Sequence, residues 1–275
     1  MKNTEFGTFY IVGTPIGNLG DISLRALETL RTVDVIAAED TRHTRLLLNH
    51  YQISKRLLSY REHNEREATE TIKSILLEKK SVALVSDAGM PGISDPGAVA
   101  VRELRESGFD IVVIPGPTAV TTAMSISGLE HGRFLFIGFL PDKLKARTEL
   151  VESFKDISVP LVLYSAPHDV SDDIAFLYKV LGDRAVIVVK ELTKVFESVY
   201  TGSLGNIVID NMKGEFVIIV QPSKKTNVNS EQLIDALNKY LINGFSNADA
   251  VKAVATDFSV PRNAVYALLL SVKKD

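Results

Sequence analysis

Four carboxylates of this chain stand in or beside loops built of glycine and proline. Glu39 and Asp40 follow the apolar run Val35-Ile36-Ala37-Ala38, and Asp87 and Asp95 belong to Ser86-Asp87-Ala88-Gly89-Met90-Pro91-Gly92-Ile93-Ser94-Asp95-Pro96-Gly97. Carboxylates repel phosphates and suit an ammonium, a sulfonium or ribose hydroxyls. No Gly-Lys-Ser/Thr follows any strand-like run, which argues against phosphoryl transfer by a Walker A loop. Gly13-x-x-x-Gly17-x-x-Gly20 is one residue longer than the dinucleotide fingerprint, and Pro15 inside it removes an N–H that a pyrophosphate would use. The chemistry favours a cationic nucleoside that carries no phosphate, a description that S-adenosylmethionine fits.

These loops need elements to aim them. Three short apolar runs, Phe9-Tyr10-Ile11-Val12, Val82-Ala83-Leu84-Val85 and Ile111-Val112-Val113-Ile114, break into such loops, the last into Pro115-Gly116-Pro117-Thr118-Ala119. Runs of this kind read as buried strands of a parallel sheet. Glycine brings bare backbone close to a ligand, and open α/β sheets bind ligands at the carboxyl ends of their strands. Strands are expected at 8–13, 33–38, 82–86 and 111–115, alternating with helices at 22–32, 65–79 and 96–107. This is a parallel αβ domain over residues 1–117. A second set of strands, at 133–139, 159–164, 185–190, 195–202 and 214–221, predicts a mixed sheet over residues 118–223. The composition then turns polar. Helical patterns at 230–242, 246–257 and 261–271 make a tail over residues 224–275, with helix-turn-helix rhythm in its last two members. The fold class is therefore α/β, two αβ domains followed by a helical tail.

The 275 residues are 45% hydrophobic and 24% charged, ordinary values for a soluble globular protein. The absence of cysteine excludes disulfides and thiolate catalysis and suits a reducing compartment. No apolar stretch approaches the roughly 20 residues that cross a bilayer, and the first residues lack the apolar core of a signal peptide. A cytoplasmic protein with no membrane partner is expected. A net charge of −3 does not announce a nucleic-acid binder, yet residues 42–80 carry nine Lys/Arg against five Glu, and residues 224–275 carry seven Lys/Arg against five acids. Each patch alone reads as a solvated face, although the charge and helix-turn-helix rhythm of the tail also suggest phosphate contacts to RNA through Lys252, Arg262, Lys273 and Lys274. The five histidines (His43, His50, His63, His131, His168) show no ligand spacing, so no metal is expected.

Several segments carry a resemblance: Thr14-Pro15-Ile16-Gly17-Asn18-Leu19, Ala37-Ala38-Glu39-Asp40-Thr41-Arg42-His43-Thr44, Val85 to Pro91 running into Ser94-Asp95-Pro96-Gly97, Pro115-Gly116-Pro117, Gly138-Phe139-Leu140-Pro141, Lys190-Glu191-Leu192-Thr193-Lys194 and Lys213-Gly214-Glu215-Phe216. In this order they resemble the tetrapyrrole-methylase superfamily, the class III S-adenosylmethionine methyltransferases. Within it they look like the bacterial branch that methylates the ribose 2′-hydroxyl of a decoding-centre cytidine in 16S ribosomal RNA of the small subunit. The resemblance covers residues 8–221. It implies a homodimer and a cofactor cleft between the two αβ domains. Pro15, Asp87, Ala88, Gly89, Pro91, Ser94, Asp95, Thr121, Thr122, Leu192, Gly214 and Phe216 would hold S-adenosylmethionine there. In the Glu39–His43 segment, Glu39, Asp40 or His43 is the candidate base and Arg42 a phosphate-binding cation; a helix N-cap is the plain alternative for Asp40-Thr41. Arg61, His63 and Asn64 follow as RNA contacts. One place departs. After Leu161-Val162-Leu163-Tyr164 the family usually carries Glu-Ser/Ala-Pro-His-Arg, whereas this chain has Ser165-Ala166-Pro167-His168-Asp169. Two alternatives remain beside the RNA enzyme: a tetrapyrrole-type small-molecule methylase, and a ribosome-binding protein with weakened turnover.

Overall fold

The computed structural model describes residues 5–130, 132–223, 230–258 and 260–272. They divide into two compact units, one up to Pro222 and one from Ser223 onward. In the first unit β1 (Thr8–Val12), β2 (Val35–Ala38), β3 (Arg56–Ser59), β4 (Val82–Val85) and β5 (Asp110–Ile114) form an all-parallel sheet in the order β3-β2-β4-β1-β5. Residues of β2 and β4 are buried on both faces because helices cover both. Helices α1 (Leu24–Thr32) and α2 (Thr41–His50) pack Ala26, Leu30 and Leu48 against Val12, Ile36 and Val85. On the other face α3 (Glu65–Leu77) and α4 (Ala98–Glu106) bring Ile72, Leu76 and Leu104 against Phe9, Val35 and Leu84. Side chains of successive strand residues point to opposite faces, which divides each strand between the two cores. This strand order sends the loops after β2, β4, β1 and β5 out of the sheet side by side.

The rest of this unit is a mixed sheet. Strands β6 (Leu135–Phe139), β7 (Leu161–Ser165), β8 (Ala185–Lys190), β9 (Ser198–Ser203) and β10 (Phe216–Val220) take the order β6-β7-β10-β8-β9. Only the β6–β7 pair is parallel. Helices α6 (Leu144–Ser153) and α7 (Val170–Leu181) cover one face of it. The other face packs Val162, Ile187, Val189, Val217 and Ile219 with Val120 and Ala123 of α5 (Ala119–Ile126), and with Ile16 and Leu192 from loops.

All the expected strands form, with ends shifted by up to three residues. Strand β3 was not expected: its four residues Arg-Leu-Leu-Ser lack β-branched side chains, and only the pairing with β2 makes them a strand. Helix α2 begins with the polar run Thr-Arg-His-Thr-Arg and escapes a periodicity reading for the same reason: its apolar side is a single stripe that the sheet face selects.

The second unit is α8 (Ser230–Ile242), α9 (Asn247–Asp257) and α10 (Arg262–Val272). Leu233, Leu237, Ala250, Val254, Val265 and Leu269 form its own core, and Ser246 caps α9 by accepting the Asp249 N–H at 3.2 Å. Lys252 and Arg262 are exposed, whereas Lys273 and Lys274 lie outside the described residues. None of the described helices is long and apolar enough to cross a membrane.

Candidate functional site

Beside the loops of the parallel sheet, against the α5 face of the mixed sheet, lies a cavity of about 570 Å³. That volume suits a nucleoside-sized ligand. From the loop after β4 come Ala88, Gly89, Met90, Ile93, Ser94 and Asp95, and from the start of α5 come Thr118 to Thr121. Tyr164 to Pro167 at the end of β7, with Val189, Leu192 and Glu215 to Val217, close the far side. Its walls are mainly apolar, and Asp95, Ser94, Tyr164, Thr118, Thr121 and Glu215 supply the polar groups.

Local chemistry fixes each wall. Thr14 and Gly89 exchange backbone hydrogen bonds of 2.9 and 3.2 Å, which ties the loop after β1 to the loop after β4. Opposite them, Glu191 and Thr193 take φ values of 52° and 65° on either side of Leu192. Such non-glycine conformations cost free energy and persist where the surroundings dictate them. Here the Thr193 hydroxyl accepts the Asn18 N–H at 3.0 Å, and the Glu191 carboxylate takes both Lys194 Nζ and the Glu215 N–H at 2.9 Å. A Cβ on Gly17 would stand 2.6 Å from Lys194 Cγ, and one on Gly214, whose φ is +106°, would stand 2.5 Å from Glu191 Cγ. Glycine is needed at both because the loops touch there.

Glu39, Asp87 and Asp95 interact electrostatically at this rim. Burial, then the charges of Asp95 and Asp87, push the Glu39 carboxyl above the usual range, while a hydrogen bond from the Asp87 backbone and the charge of Arg61 pull it back. Burial also raises Asp95, with Ser86 opposing. The Asp87 carboxylate accepts the Asp40 N–H at 3.1 Å and so splices the loops after β2 and β4. Asp40 behaves otherwise. It caps α2, accepting the Arg42 N–H at 2.8 Å, and pairs with the Arg42 guanidinium at 2.7 Å, so its carboxyl is held well below the ordinary range. His43 lies exposed in the first turn of α2. Arg61 donates to the Glu39 carbonyl at 3.1 Å, and Asn64 braces it by accepting the Arg61 N–H at 2.6 Å; His63 is exposed between them.

Of the residues singled out for the cofactor, Ala88, Gly89, Ser94, Asp95, Thr121, Leu192 and Phe216 line the cavity. Pro15, Asp87 and Gly214 adjoin lining residues, and Thr122 bonds back to the Thr118 carbonyl at 2.8 Å inside α5. Pro91 faces a separate groove. The sequence reading missed Tyr164, whose hydroxyl accepts the Val120 N–H at 3.2 Å while Phe136 and Phe139 meet its ring edge-on. A tyrosine in a strand reads as core, and only the start of α5 gives its hydroxyl a purpose. At the departing segment, Ser165 (3% exposed) donates to Asp173 Oδ2 at 2.5 Å, and Asp173 (4% exposed) also takes the Arg147 guanidinium. The buried carboxylate here thus comes from α7, and Asp169 stands outside beside His168 at 3.2 Å. Among the described residues no group of three or more His, Asp or Glu side chains is placed to hold a metal; His131 is outside them.

A parallel sheet, a mixed sheet and a carboxylate-bearing cavity between their loops define a class. The model of the Tetrapyrrole (Corrin/Porphyrin) Methylases matches residues 8–208, and the chain belongs to this family. Within it, the chain is 41% identical to the Halalkalibacterium halodurans protein named ribosomal RNA small subunit methyltransferase I, over 97% of this chain and 96% of that one. It is 39% identical to the protein of the same name from Synechocystis, over 98% and 99% of the two chains, and 44% identical to that of Escherichia coli O157:H7 over 79% of each. Among solved structures, diphthine synthase superposes with a TM-score of 0.65 at 18% identity, covering 78% of this chain and 90% of that one. The methyltransferase CobJ gives 0.59 at 17%, covering 81% and 97%. These two likenesses are of fold.

Proposed function

We propose that this protein transfers a methyl group from S-adenosylmethionine to the ribose 2′-hydroxyl of a decoding-centre cytidine in 16S ribosomal RNA of the small subunit, in the cytoplasm. The observation that carries the reading is the meeting of a nucleoside-sized cavity bearing Asp95 with the Glu39–Arg61 rim, in a chain whose near full-length relatives are named for small-subunit rRNA methylation. The cavity fits the cofactor: apolar walls suit the adenine, and carboxylates suit a sulfonium and ribose hydroxyls. Ala88, Gly89, Ser94, Asp95, Thr121, Leu192 and Phe216 would hold it, with Pro15, Asp87, Pro91, Thr122 and Gly214 shaping those loops from behind.

When bound, S-adenosylmethionine supplies a methyl already activated by its sulfonium. What the chain must add is alignment and removal of the 2′-OH proton as the ribose oxygen attacks and the carbon–sulfur electron pair passes to sulfur. Glu39 is the base. Asp40 is spent on its cap and ion pair, and among the described residues the His43 imidazole has no hydrogen bond or ion pair to orient it. No step needs a metal. Arg42, Arg61, His63 and Asn64 would take the RNA.

Incubation with labelled S-adenosylmethionine and immature small subunits tests the reading. Label in a cytidine ribose is expected. Label transferred only to a tetrapyrrole, or ribosome binding without label, defeats it. A homodimer belongs to the same reading, supported by the exposed apolar pair Val195 (93%) and Phe196 (74%). Sedimentation equilibrium should then give about twice 30.2 kDa.

A further inference from the structure

The loop after β4 has two sides. Ala88, Gly89, Met90, Ile93, Ser94 and Asp95 face the cavity, whereas Pro91 and Gly92 face a second hollow of about 430 Å³ on the outside of the sheet. Its other walls are Ile11 and, along α4, Ala98, Val101, Arg102, Arg105 and Glu106. Arg102 and Arg105 are exposed. They lie three residues apart on one helix face, where side chains are neighbours about 5–6 Å apart at Cβ. Among the described residues neither guanidinium has an ion pair or a hydrogen bond, although Glu106 shares the groove. The neighbouring cation Lys73 is different: Glu70 and Glu103 neutralise it at 2.7 and 3.3 Å. The floor is firm, because the Glu65 carboxylate accepts the Gly97 N–H at 2.8 Å and the buried Tyr60 hydroxyl accepts that of Ala100 at 3.1 Å.

We infer that the groove between Pro91-Gly92 and the Arg102–Arg105 face of α4 is a binding track for the phosphate backbone of single-stranded RNA. Guanidinium groups take phosphate bidentately, and two of them one helical turn apart address successive phosphates of one strand. The loop that walls this groove also walls the cavity. A strand whose target ribose reaches the cavity therefore lays flanking phosphates along α4. This rests on the methyl-transfer reading for the identity of the RNA, though not for the chemistry of the groove.

The test uses the full-length chain and the double variant Arg102→Ala, Arg105→Ala, since alanine keeps an exposed helix intact. Binding of a labelled 16S RNA fragment is followed by anisotropy across a salt series, S-adenosylmethionine binding by calorimetry, and mass by sedimentation. The variant should bind RNA roughly tenfold more weakly, with a log–log salt slope about 1.4 units shallower, and should bind S-adenosylmethionine as the parent does. In methyl transfer KM should rise and kcat should hold. An unchanged slope overturns the inference, as does a loss of S-adenosylmethionine binding without a change of slope. A dimer that becomes a monomer with RNA binding intact assigns the groove to a second copy of the chain instead. If the parent binds RNA through this face and yet methylates no subunit, the groove stands and the methyl-transfer reading falls.

Discussion

At the scale of single residues, three candidates for one proton separate by their neighbours. Glu39 and Asp40 are adjacent carboxylates with opposite fates: burial and like charge raise the first, and an arginine lowers the second. A base must be ionised to act, so methyl transfer should rise with pH through an apparent pKa above the ordinary carboxylate value of 4.5. For stability the sign runs the other way. Between the unfolded and folded values the folded Glu39 keeps a proton that the unfolded chain has lost, and that stabilisation disappears as pH rises through the folded pKa. Glu39→Gln should therefore flatten the acid limb and lower kcat by roughly 10²–10⁴-fold. It should also leave the protein at least as stable at neutral pH. A Gln variant with parental kcat and an intact acid limb would move the base elsewhere. Arg61, by contrast, touches Glu39 through the backbone carbonyl, so it positions the segment.

At the scale of elements, the cavity depends on how the loops after β1 and β8 and the loop before β10 close on one another. The Glu191 carboxylate is the shared knot, bound to Lys194 and to the Glu215 N–H. Gly214 at φ +106° gives it room. Gly214→Ala combines a disfavoured backbone with a collision, at a cost of about 1–3 kcal/mol. Its melting temperature should fall and its S-adenosylmethionine affinity should drop, and adding Glu191→Ala should relieve the collision but not the backbone strain. A Gly214→Ala protein that binds the cofactor like the parent would show that this knot does not shape the cavity. The same loops show where a sequence is readable. The glycine and proline punctuation after β1, β4 and β5 announces a cavity-facing rim, because few residue types tolerate those turns. Glu191 and Thr193 carry no such mark: their left-handed backbone is imposed by Asn18, Lys194 and Glu215, which lie far away in the chain or act only after the turn is made.

At the scale of the whole molecule, the unit from Ser223 onward has its own core of Leu233, Leu237, Val254, Val265 and Leu269, and all the residues that line the cavity precede Pro222. Truncation after Pro222 should therefore leave S-adenosylmethionine binding nearly intact. If Lys252 and Arg262 grip RNA outside the cavity, the truncated chain should methylate small subunits with a raised KM and a shallower salt dependence. Equal rates and equal salt dependence with and without the tail would dismiss that grip, and a large fall in melting temperature with loss of both activities would make the tail a structural cap. The sequence by itself determined the class of fold and the end of the sheet that carries the cavity. Both follow from short-range rules: apolar runs of strand length, helical periodicity, and glycine, proline and aspartate at turns. It also points to the kind of ligand to expect, because charge type within a loop needs no knowledge of distant partners. Tertiary structure alone decided which carboxylate is buried, which is paired, and which residues share a wall. Tyr164 beside α5, Asp173 beneath Ser165, and Pro91 turned away from Asp95 are set by contacts across the sheets. Electrostatic and packing free energies depend on distance in space, and the order of residues along a chain does not carry that distance until the chain has folded.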